Sequence, residues 1–303
     1  MSRTLFGRGA QGALIEDLQR GLVGQGIPLG KVDGNFGRNT EEAIRAFQAR
    51  SGSTPTGSVD VDEWTALTGK PLPALAERCL QITAAFEGHN YTVAAGNWDG
   101  AWLTWGIIGF TMAAGSVQGL FRSVEAMAPQ RVADAFGTDA TAVREIMRAV
   151  RGEQRSWALS LGSADGHRLI EPWQTAFARF GGFPEVQAAQ RQSAFDNYFT
   201  PALRTASELG VNTELGIALC FDTHVQNGGV SPDARRDLPP FDPTEPERVR
   251  RIAIANAVAD HSRTKFRENV RSRKLAIATG AGAANGVHVV AADWGLAEVP
   301  ATV

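Results

Sequence analysis

The chain has few cysteines and no familiar arrangement of them. Its 303 residues include two, Cys79 and Cys220, and neither belongs to a CxxC or a Cys/His spacing. Both thiols are therefore predicted to be reduced residues of the apolar core. The sequence also shows no Ser, His and Asp arrangement for acyl transfer and no metal-ligand spacing. We predict no metal and no other cofactor.

Charge of one sign and long apolar runs are also missing. The formal net charge is −2, which offers no basic field for nucleic acid or for an anionic membrane surface. No run of about 18 apolar residues could cross a membrane, and the amino terminus has no apolar signal-peptide core. We therefore expect synthesis in the cytoplasm, with no nucleic-acid partner and no membrane insertion.

Apolar residues, in contrast, are plentiful enough for two domains. They make up 43% of the chain, and its length exceeds that of a usual single domain. The stretch TGKPLPAL at 68–75 contains two prolines and a glycine, which interrupt helices and commonly mark a boundary. The predicted division is a first domain at 1–69, a linker at 70–75 and a second domain at 76–303.

The first domain has the pattern of three short helices. Leu14, Leu18 and Leu22 form one apolar stripe at helical spacing. A second helix is expected to begin near Asn39 or Thr40, because these residue types cap helix amino termini. None of these helices is long enough to be stable alone.

This segment resembles the peptidoglycan-binding module of bacterial and phage wall hydrolases. The resemblance covers about sixty residues, including VDGNFGRNT, the Ala and Phe-Gln that follow, and Trp64 near the end. It implies a three-helix fold that binds wall glycan or stem peptide, with Asp33, Phe36 and Thr40 as binding candidates. The alternative is structural, since Asp33 begins an ordinary Asp-Gly turn and Phe36 suits a core.

The second domain opens with a helix that ends in a glutamate. Residues 74–87 place Leu75, Cys79, Ile82 and Phe86 on one stripe, and the glycine after Glu87 is a natural stop. A carboxylate at this end faces the negative pole of the helix dipole, so stability does not account for Glu87. A general acid is one interpretation, and an exposed surface glutamate is the other.

An aspartate on a predicted hairpin makes the catalytic interpretation stronger. Residues 97–110 read NWDGAWLTWGIIGF, in which Asp99 precedes Gly100 in a turn and Thr104 follows on the next strand. Sugar hydrolysis by inversion needs one carboxyl to protonate the leaving oxygen and another to activate water. A threonine hydroxyl can hold that water. A turn-forming aspartate without catalytic role is the alternative.

The same stretch resembles the DGRGYTxGIIGF signature of the chitosanases of glycoside hydrolase family forty-six. Weaker matches follow in order at AAQRQSAFDNYFTPAL, LGIALCFDTHVQNGG and IANAVADHSRTKFRENVRSR, so the resemblance spans residues 76–280. It implies a mainly α (α+β) chain, with a lysozyme-like, two-lobed helical domain and a small β-sheet at the cleft. It also implies inversion, with Glu87 as acid, Asp99 as base and Thr104 positioning water.

Two departures from the family affect the expected substrate. The connection between Glu87 and Asp99 is shorter, and the hairpin carries Trp98, Trp102 and Trp105. Chitosan is a polycation and calls for many carboxylates, whereas aromatic rings suit N-acetylated sugars. Trp105 is predicted to be core, and Trp98 and Trp102 are candidates either for substrate binding or for the core.

Supporting residues are expected beneath the site. Asp222 lies in a predicted buried helix, where an unpaired charge is costly, so it should have an arginine partner. Arg251 and Arg263 are the candidates, in a network that stabilises and does not react. His224 is interpreted as a core histidine, and the tail from 280 as an irregular wrap with one short strand.

The sequence thus predicts a monomeric, endo-acting β-1,4-glycosidase of the muramidase or lysozyme type, whose partner is bacterial peptidoglycan. Without a signal peptide it would be made in a host cytoplasm and reach periplasmic peptidoglycan as a bacteriolytic phage endolysin or an injected effector. Three alternatives stay open. They are a chitosanase, a lytic transglycosylase, which can work with one glutamate, and a non-catalytic wall-binding component.

Overall fold

Helices dominate the architecture, as the sequence predicts. The structure is a computed structural model and describes residues 3–87, 90–97, 100–284 and 286–302. Its helices are α1 (Ala13–Gly24), α2 (Arg38–Arg50), α3 (Val61–Thr68), α4 (Leu75–Glu87), α5 (Ser116–Met127), α6 (Gln130–Phe136), α7 (Ala140–Arg148), α8 (Arg151–Ser160), α9 (Trp173–Gly182), α10 (Pro184–Ala194), α11 (Thr200–Leu209), α12 (Glu214–Asn227), α13 (Pro232–Arg236), α14 (Glu247–Asp260) and α15 (Arg267–Thr279). Among the described residues, no helix is both long and apolar enough to span a membrane.

Three small antiparallel sheets complete the fold. Their strands are β1 (Thr4–Phe6), β2 (Val59–Asp60), β3 (Ala94–Ala95), β4 (Thr104–Trp105), β5 (Phe110–Thr111), β6 (Ala281–Ala284) and β7 (Val287–Val290). Strand β1 pairs with β2, β4 lies between β3 and β5, and β6 pairs with β7. The chain forms two compact units, one of Met1–Phe86 with Asn197–Val303 and the other of Glu87–Asp196.

The first unit contains the three amino-terminal helices. The apolar stripe of α1 consists of Ile15, Leu18 and Leu22, which are fully buried. Leu14, which the sequence pattern predicts to belong to the stripe, is only half-buried, and Ile15 takes its place. Helix α3 begins with a capping box, in which the Asp60 side chain accepts a hydrogen bond from the Glu63 N–H and the Glu63 side chain returns one. This reciprocal pair satisfies two donors that the helix end leaves open.

Helix α2 begins earlier than the sequence suggests. It starts at Arg38 with Gly37 at the cap position, so the prediction that Asn39 or Thr40 caps it is wrong. The Thr40 hydroxyl instead donates to the Asn35 carbonyl and accepts a hydrogen bond from the Gln19 side chain of α1. A tertiary contact therefore takes the hydroxyl that local propensity assigned to the cap.

Helix α12 lies at the core of the first unit. Every residue from 214 to 223 is buried, and the helix packs against α11, α14 and α15. A helix that is apolar on all sides is stable only when neighbours enclose it. The Thr213 hydroxyl caps its amino terminus by accepting from the Gly216 N–H at 3.1 Å.

The carboxyl-terminal tail is more regular than predicted. It forms a hairpin of two strands, β6 and β7, in place of an irregular wrap with one strand. A 3-10 turn, Ala291–Trp294, follows and packs against β1. Small residues such as Gly282 permit this because a Cβ there would lie 2.8 Å from the Ala276 side chain.

The second unit is built around aromatic rings beside the three-stranded sheet. The Trp105 ring is fully buried, stacks on Phe180 at 5.3 Å, and donates a hydrogen bond to the Phe177 carbonyl at 3.2 Å. Phe121 and Phe136 join the same cluster. Trp105 is thus a core residue, as predicted, and its burial fixes the position of β4.

Candidate active site

Glu87 is the last residue of α4, as the sequence predicts. The helix before it is buried from Arg78 to Phe86, with Phe86 only 2% exposed, whereas Glu87 itself is half-buried. The rigid helix therefore fixes the carboxylate while leaving part of it accessible. This suits a residue that must exchange a proton with a bound substrate.

Asp99 and Trp98, both predicted site residues, lie outside the described residues. The segment that carries them connects β3 to β4, and its beginning is well anchored. The Gly96 and Asn97 N–H groups donate to the carbonyls of His167 and Gly166, at 3.0 and 2.7 Å. The Asn97 side-chain oxygen accepts from the Trp102 N–H at 3.0 Å.

Thr104 occupies the middle strand of the small sheet. It pairs with Ala95 on one side and Thr111 on the other, and it is half-exposed whereas Trp105 is fully buried. Because successive strand residues point to opposite faces, Thr104 faces away from the aromatic core. Among the described residues, its hydroxyl has no hydrogen-bond partner, so it is able to bind water.

Trp102 has an unusual backbone conformation. Its φ is 66°, a left-handed value that bulky residues rarely adopt. The side chain is 8% exposed, and the Arg151 guanidinium lies over its ring at 4.7 Å from the centroid. The structure thus places Trp102 under a cation. Its role in substrate binding stays a prediction.

Gln190 is a structural contributor that the sequence analysis missed. This fully buried side chain of α10 accepts a hydrogen bond from the Ile107 N–H and donates one to the Tyr91 carbonyl, both at 3.0 Å. It therefore connects Tyr91, which precedes β3, with Ile107, which lies between β4 and β5. A polar residue on the apolar face of a predicted helix is the signal that could have found it.

The predicted wall-binding residues of the first domain surround another buried glutamine. Gln19 is 1% exposed and donates to the Asp33 carboxylate at 3.1 Å and to the Thr40 hydroxyl at 3.0 Å. Asp33 is exposed, and its pKa is lowered chiefly by the hydrogen bond from the Asn35 N–H. Phe36 and Thr40 are each 2% exposed. Only Asp33 of the three therefore presents substantial surface.

Asp222 is buried with two cations. It is 0% exposed, and the Arg273 guanidinium and the Lys274 ammonium both donate to its carboxylate. Burial raises the pKa of Asp222, but the two cations outweigh it and hold the pKa at about 2. The charged form is thus secured inside the protein.

The predicted partners of Asp222 are wrong. Arg251 is fully buried but pairs with Glu247 at 3.1 Å and Glu298 at 2.8 Å. Arg263 is exposed on the segment after α14. Helix α15, which packs on α12, places Arg273 and Lys274 against Asp222 instead. Helix packing decides this pairing, and the sequence pattern of charges does not reveal it.

Arg273 also connects this cluster to α4. Its guanidinium lies over the Phe86 ring at 5.1 Å from the centroid. Phe86 immediately precedes Glu87 in the same helix. The buried ion cluster therefore supports the helix end that carries the candidate acid.

His224 and the cysteines take the structural roles that the sequence predicts. His224 is half-buried and shares a hydrogen bond of 2.9 Å with Thr205. Its pKa is lowered mainly by burial, with Arg235 and Arg204 adding to the shift. Cys79 and Cys220 are buried free thiols.

Two family models match the chain. The sequence model of a peptidoglycan binding domain matches residues 11–67, and that of glycosyl hydrolase family 46 matches residues 82–238. The second match includes the described candidates Glu87 and Thr104 as well as Asp99. A sequence search of curated proteins finds no match.

Solved chitosanase structures are similar to this chain. The native chitosanase from Bacillus subtilis MY002 has 17% identity and a TM-score of 0.45, covering 68% of this chain and 86% of that one. The family 46 chitosanase from Gynuella sunshinyii, solved with chitotetraose, has 19% identity and a TM-score of 0.45, covering 69% and 87%.

The second family match extends over more than half of the chain and includes the end of α4 from residue 82 to Glu87, the small sheet and the buried helix α12. The first match coincides with the three amino-terminal helices. The chain therefore belongs to glycosyl hydrolase family 46, a family of glycoside hydrolases, and carries a peptidoglycan binding domain at its amino-terminal end.

Proposed function

We propose that this enzyme hydrolyses the β-1,4 bonds of peptidoglycan glycan strands from within, as a muramidase-type glycosidase. The observation that carries the proposal is the presence of a peptidoglycan binding domain and a family 46 domain in one chain. A tethered binding domain raises the effective concentration of the catalytic residues at its own ligand. The polymer whose hydrolysis this tethering accelerates is therefore peptidoglycan.

The proposed mechanism uses Glu87 as acid and Asp99 as base. Glu87 gives its proton to the glycosidic oxygen as the bond from the anomeric carbon to that oxygen breaks. Asp99 takes a proton from a water whose oxygen bonds to the anomeric carbon from the opposite face, which inverts its configuration. An inverting pair is separated by about 6.5–9.5 Å to leave room for this water.

Thr104 positions the water in this scheme. Its hydroxyl can accept one hydrogen bond and donate another, and it projects from the central strand of the sheet. The aromatic core behind β4 holds that strand still, so the hydroxyl is placed before substrate arrives. Proton transfer then needs no rearrangement of the backbone.

In the amino-terminal domain we propose that Asp33, Phe36 and Thr40 form the wall-binding site. Asp33 is the exposed member, whereas Phe36 and Thr40 are buried around Gln19. The two buried residues would act by shaping the loop that presents Asp33. In the catalytic domain Trp98 would supply aromatic surface for N-acetylated sugars, and Trp102, which is 8% exposed beneath Arg151, would contribute only the accessible part of its ring.

Chitosan hydrolysis is the second candidate. The resemblance of residues 99–111 to the family chitosanase signature favours it. A chitosanase would be expected to bind its polycationic substrate through many carboxylates. Between residues 87 and 111 the sequence has two acids, Glu87 and Asp99, which is few for binding a polycation.

The test measures new reducing ends released from purified peptidoglycan and from partly acetylated chitosan. Wild type is compared with Glu87→Gln, Asp99→Asn and Glu153→Gln, the last being an exposed acid of α8 that serves as control. The proposal expects release from peptidoglycan, lost in the first two variants by a factor on the order of 10²–10⁴ and kept in the third. Release from chitosan alone would overturn it.

Product analysis separates the remaining alternatives. Hydrolysis by a muramidase gives reducing N-acetylmuramic acid ends, and proton NMR of the first products reports whether the anomer is inverted. Anhydro-muramic products that persist in Asp99→Asn would indicate a lytic transglycosylase. Binding of Glu87→Gln to insoluble peptidoglycan, with no product from any form of the protein, would indicate a non-catalytic wall-binding component.

A further inference from the structure

Arg151 and Trp102 form an unusual pair beside the candidate site. The guanidinium of Arg151, at the first position of α8, lies over the Trp102 indole at 4.7 Å from the ring centroid. A cation–π contact restrains the guanidinium over the ring, and its N–H donors can still bind an external acceptor. The pair therefore presents a fixed cation to solvent.

Arg151 has no salt bridge to any acid in the described part of the chain. Two other arginines of the same unit do pair with acids, Arg131 with Glu185 at 2.8 Å and Arg144 with Glu125 at 2.9 Å. Arg151 is exposed. A guanidinium held over a ring, with no acid of the described residues paired to it, is suited to binding a carboxylate from outside.

The backbone beneath this cation is held in a strained conformation. Trp102 has a φ of 66°, and its N–H is held by the Asn97 side chain at 3.0 Å. Conformations of this kind are found mainly where function requires a fixed side-chain position. Here the strain directs the indole under Arg151.

The pair also lies close to the proposed reacting groups. Trp102 and Thr104 are two residues apart, so their Cα atoms are within about 7 Å of each other. The Arg151 guanidinium itself lies 4.7 Å from the Trp102 ring centroid, and charges closer than the Debye length, about 8 Å at physiological salt, are only partly screened. A substrate that extends from Thr104 over Trp102 would therefore experience the charge of Arg151.

We propose that Arg151, seated on Trp102, is a specificity-determining residue that binds a stem-peptide carboxylate of peptidoglycan and disfavours chitosan. The inference rests on the proposed function and names the chemistry by which the same site selects its substrate. Peptidoglycan carries free carboxylates on its stem peptides, whereas chitosan carries ammonium groups. One fixed cation attracts the first polymer and repels the second.

The experiment compares kcat and KM on soluble peptidoglycan fragments and on chitosan for full-length variants. Arg151→Gln removes the cation, Arg151→Lys keeps a charge without the planar stack, and Arg155→Gln removes an exposed charge one turn later on α8. Arg151→Gln is expected to raise KM for peptidoglycan by roughly tenfold. Activity on chitosan is expected to stay equal or to rise, and Arg155→Gln to match wild type.

A chemical control uses the unaltered protein. Converting the free carboxylates of the peptidoglycan fragments to neutral methylamides is expected to raise the wild-type KM by a similar factor. It should leave the KM of Arg151→Gln unchanged. This arm tests the proposal even where a variant folds poorly, because wild type alone reports whether substrate carboxylates matter.

Three results would overturn the inference while the proposed function stands. The first is a wild-type KM that does not respond to amidation, and the second is an Arg151→Gln variant that equals Arg155→Gln on both polymers. The third is an equal loss on both polymers, which would make Arg151 merely structural. A wild type that cleaves only chitosan removes the proposed function and the inference together.

Discussion

The Arg273 guanidinium contacts both carboxylate oxygens of Asp222, at 2.6 Å from Nη2 to Oδ1 and 3.0 Å from Nε to Oδ2. Both side chains are almost completely buried, on helices α15 and α12. The same guanidinium lies over Phe86, next to Glu87. A buried ion pair of this kind fixes geometry more than it adds stability, provided that neither partner is removed.

Removing the acid of this cluster should destabilise the fold strongly. Asp222→Ala leaves Arg273 and Lys274 buried without a counter-charge, and we expect a loss of about 3–5 kcal/mol in the free energy of unfolding. Urea denaturation followed by circular dichroism measures it. The control is Asp260→Ala, which breaks the exposed 2.7 Å pair with Arg271 and should cost no more than about 1 kcal/mol. Equal losses in both variants would contradict the prediction.

The same cluster predicts a loss of stability in acid. The pKa of Asp222 is held at about 2, below its ordinary value of 3.8. Its contribution is therefore present above pH 3.8 and is lost as the pH falls toward 2. Wild type should lose stability across this window more steeply than Asp222→Asn, as urea midpoints at successive pH values would report. Parallel profiles would rule out this assignment.

Asp293 should have the opposite effect on the pH dependence of stability. It is half-buried in the 3-10 turn that packs on β1, and burial raises its pKa to about 6, against the opposing effect of His288. Its contribution to stability is present at low pH and is lost as the pH rises through 6. Asp293→Asn should therefore be more stable than wild type at pH 7, by about 1 kcal/mol given its partial exposure.

Urea unfolding between pH 4 and pH 8 tests this expectation for Asp293. The exposed acid Glu145 on α7 provides the control, because Glu145→Gln should shift the curve equally at all pH values. An Asp293→Asn protein that is less stable than wild type at pH 7 would show that the charged carboxylate is the favoured form.

The hydroxyl of Thr104 should matter for turnover and little for folding. Thr104→Val keeps the β-branched shape that suits the central strand but cannot hold water. We expect kcat to fall by roughly ten- to hundredfold with KM nearly unchanged, whereas Thr104→Ser retains most of the activity. Thermal unfolding of both variants serves as the control. A Val variant with wild-type kcat would remove Thr104 from the mechanism.

Gln190 should be essential for the sheet. Gln190→Leu removes the hydrogen bonds of Gln190 with the Ile107 N–H and the Tyr91 carbonyl, and we expect a loss of about 1–3 kcal/mol in the free energy of unfolding. Gly106→Ala should have a related effect, because a Cβ there would lie 2.4 Å from the Gln190 oxygen and the φ is +87°. Chemical denaturation measures both, with the exposed Gln192→Leu expected to stay within about 0.5 kcal/mol of wild type.

The local sequence pattern was sufficient to predict several structural elements. The apolar stripe of α4 predicts a helix that ends at Glu87, and the apolar composition of α12 predicts its burial, as observed. Trp105 could be assigned to the core because Gly-Ile-Ile follows it. Each of these predictions depends on neighbours in the chain, and helical or strand periodicity records those neighbours directly.

Other features required contacts between distant segments. Thr40 lies inside α2, whose cap is Gly37, and its hydroxyl is bonded to Gln19 of α1. The tail pairs with itself as β6 and β7. Arg273 rather than Arg251 reached Asp222 because α15 packs on α12.

The sequence by itself therefore determined the helices, the family and the candidate acid, since these follow from residue type and spacing. Only the tertiary structure decided which cation neutralises Asp222 and which ring supports Arg151. Such pairings join residues about 50 positions apart in the chain, a separation at which spacing carries no information on distance. Packing of whole helices brings those side chains together.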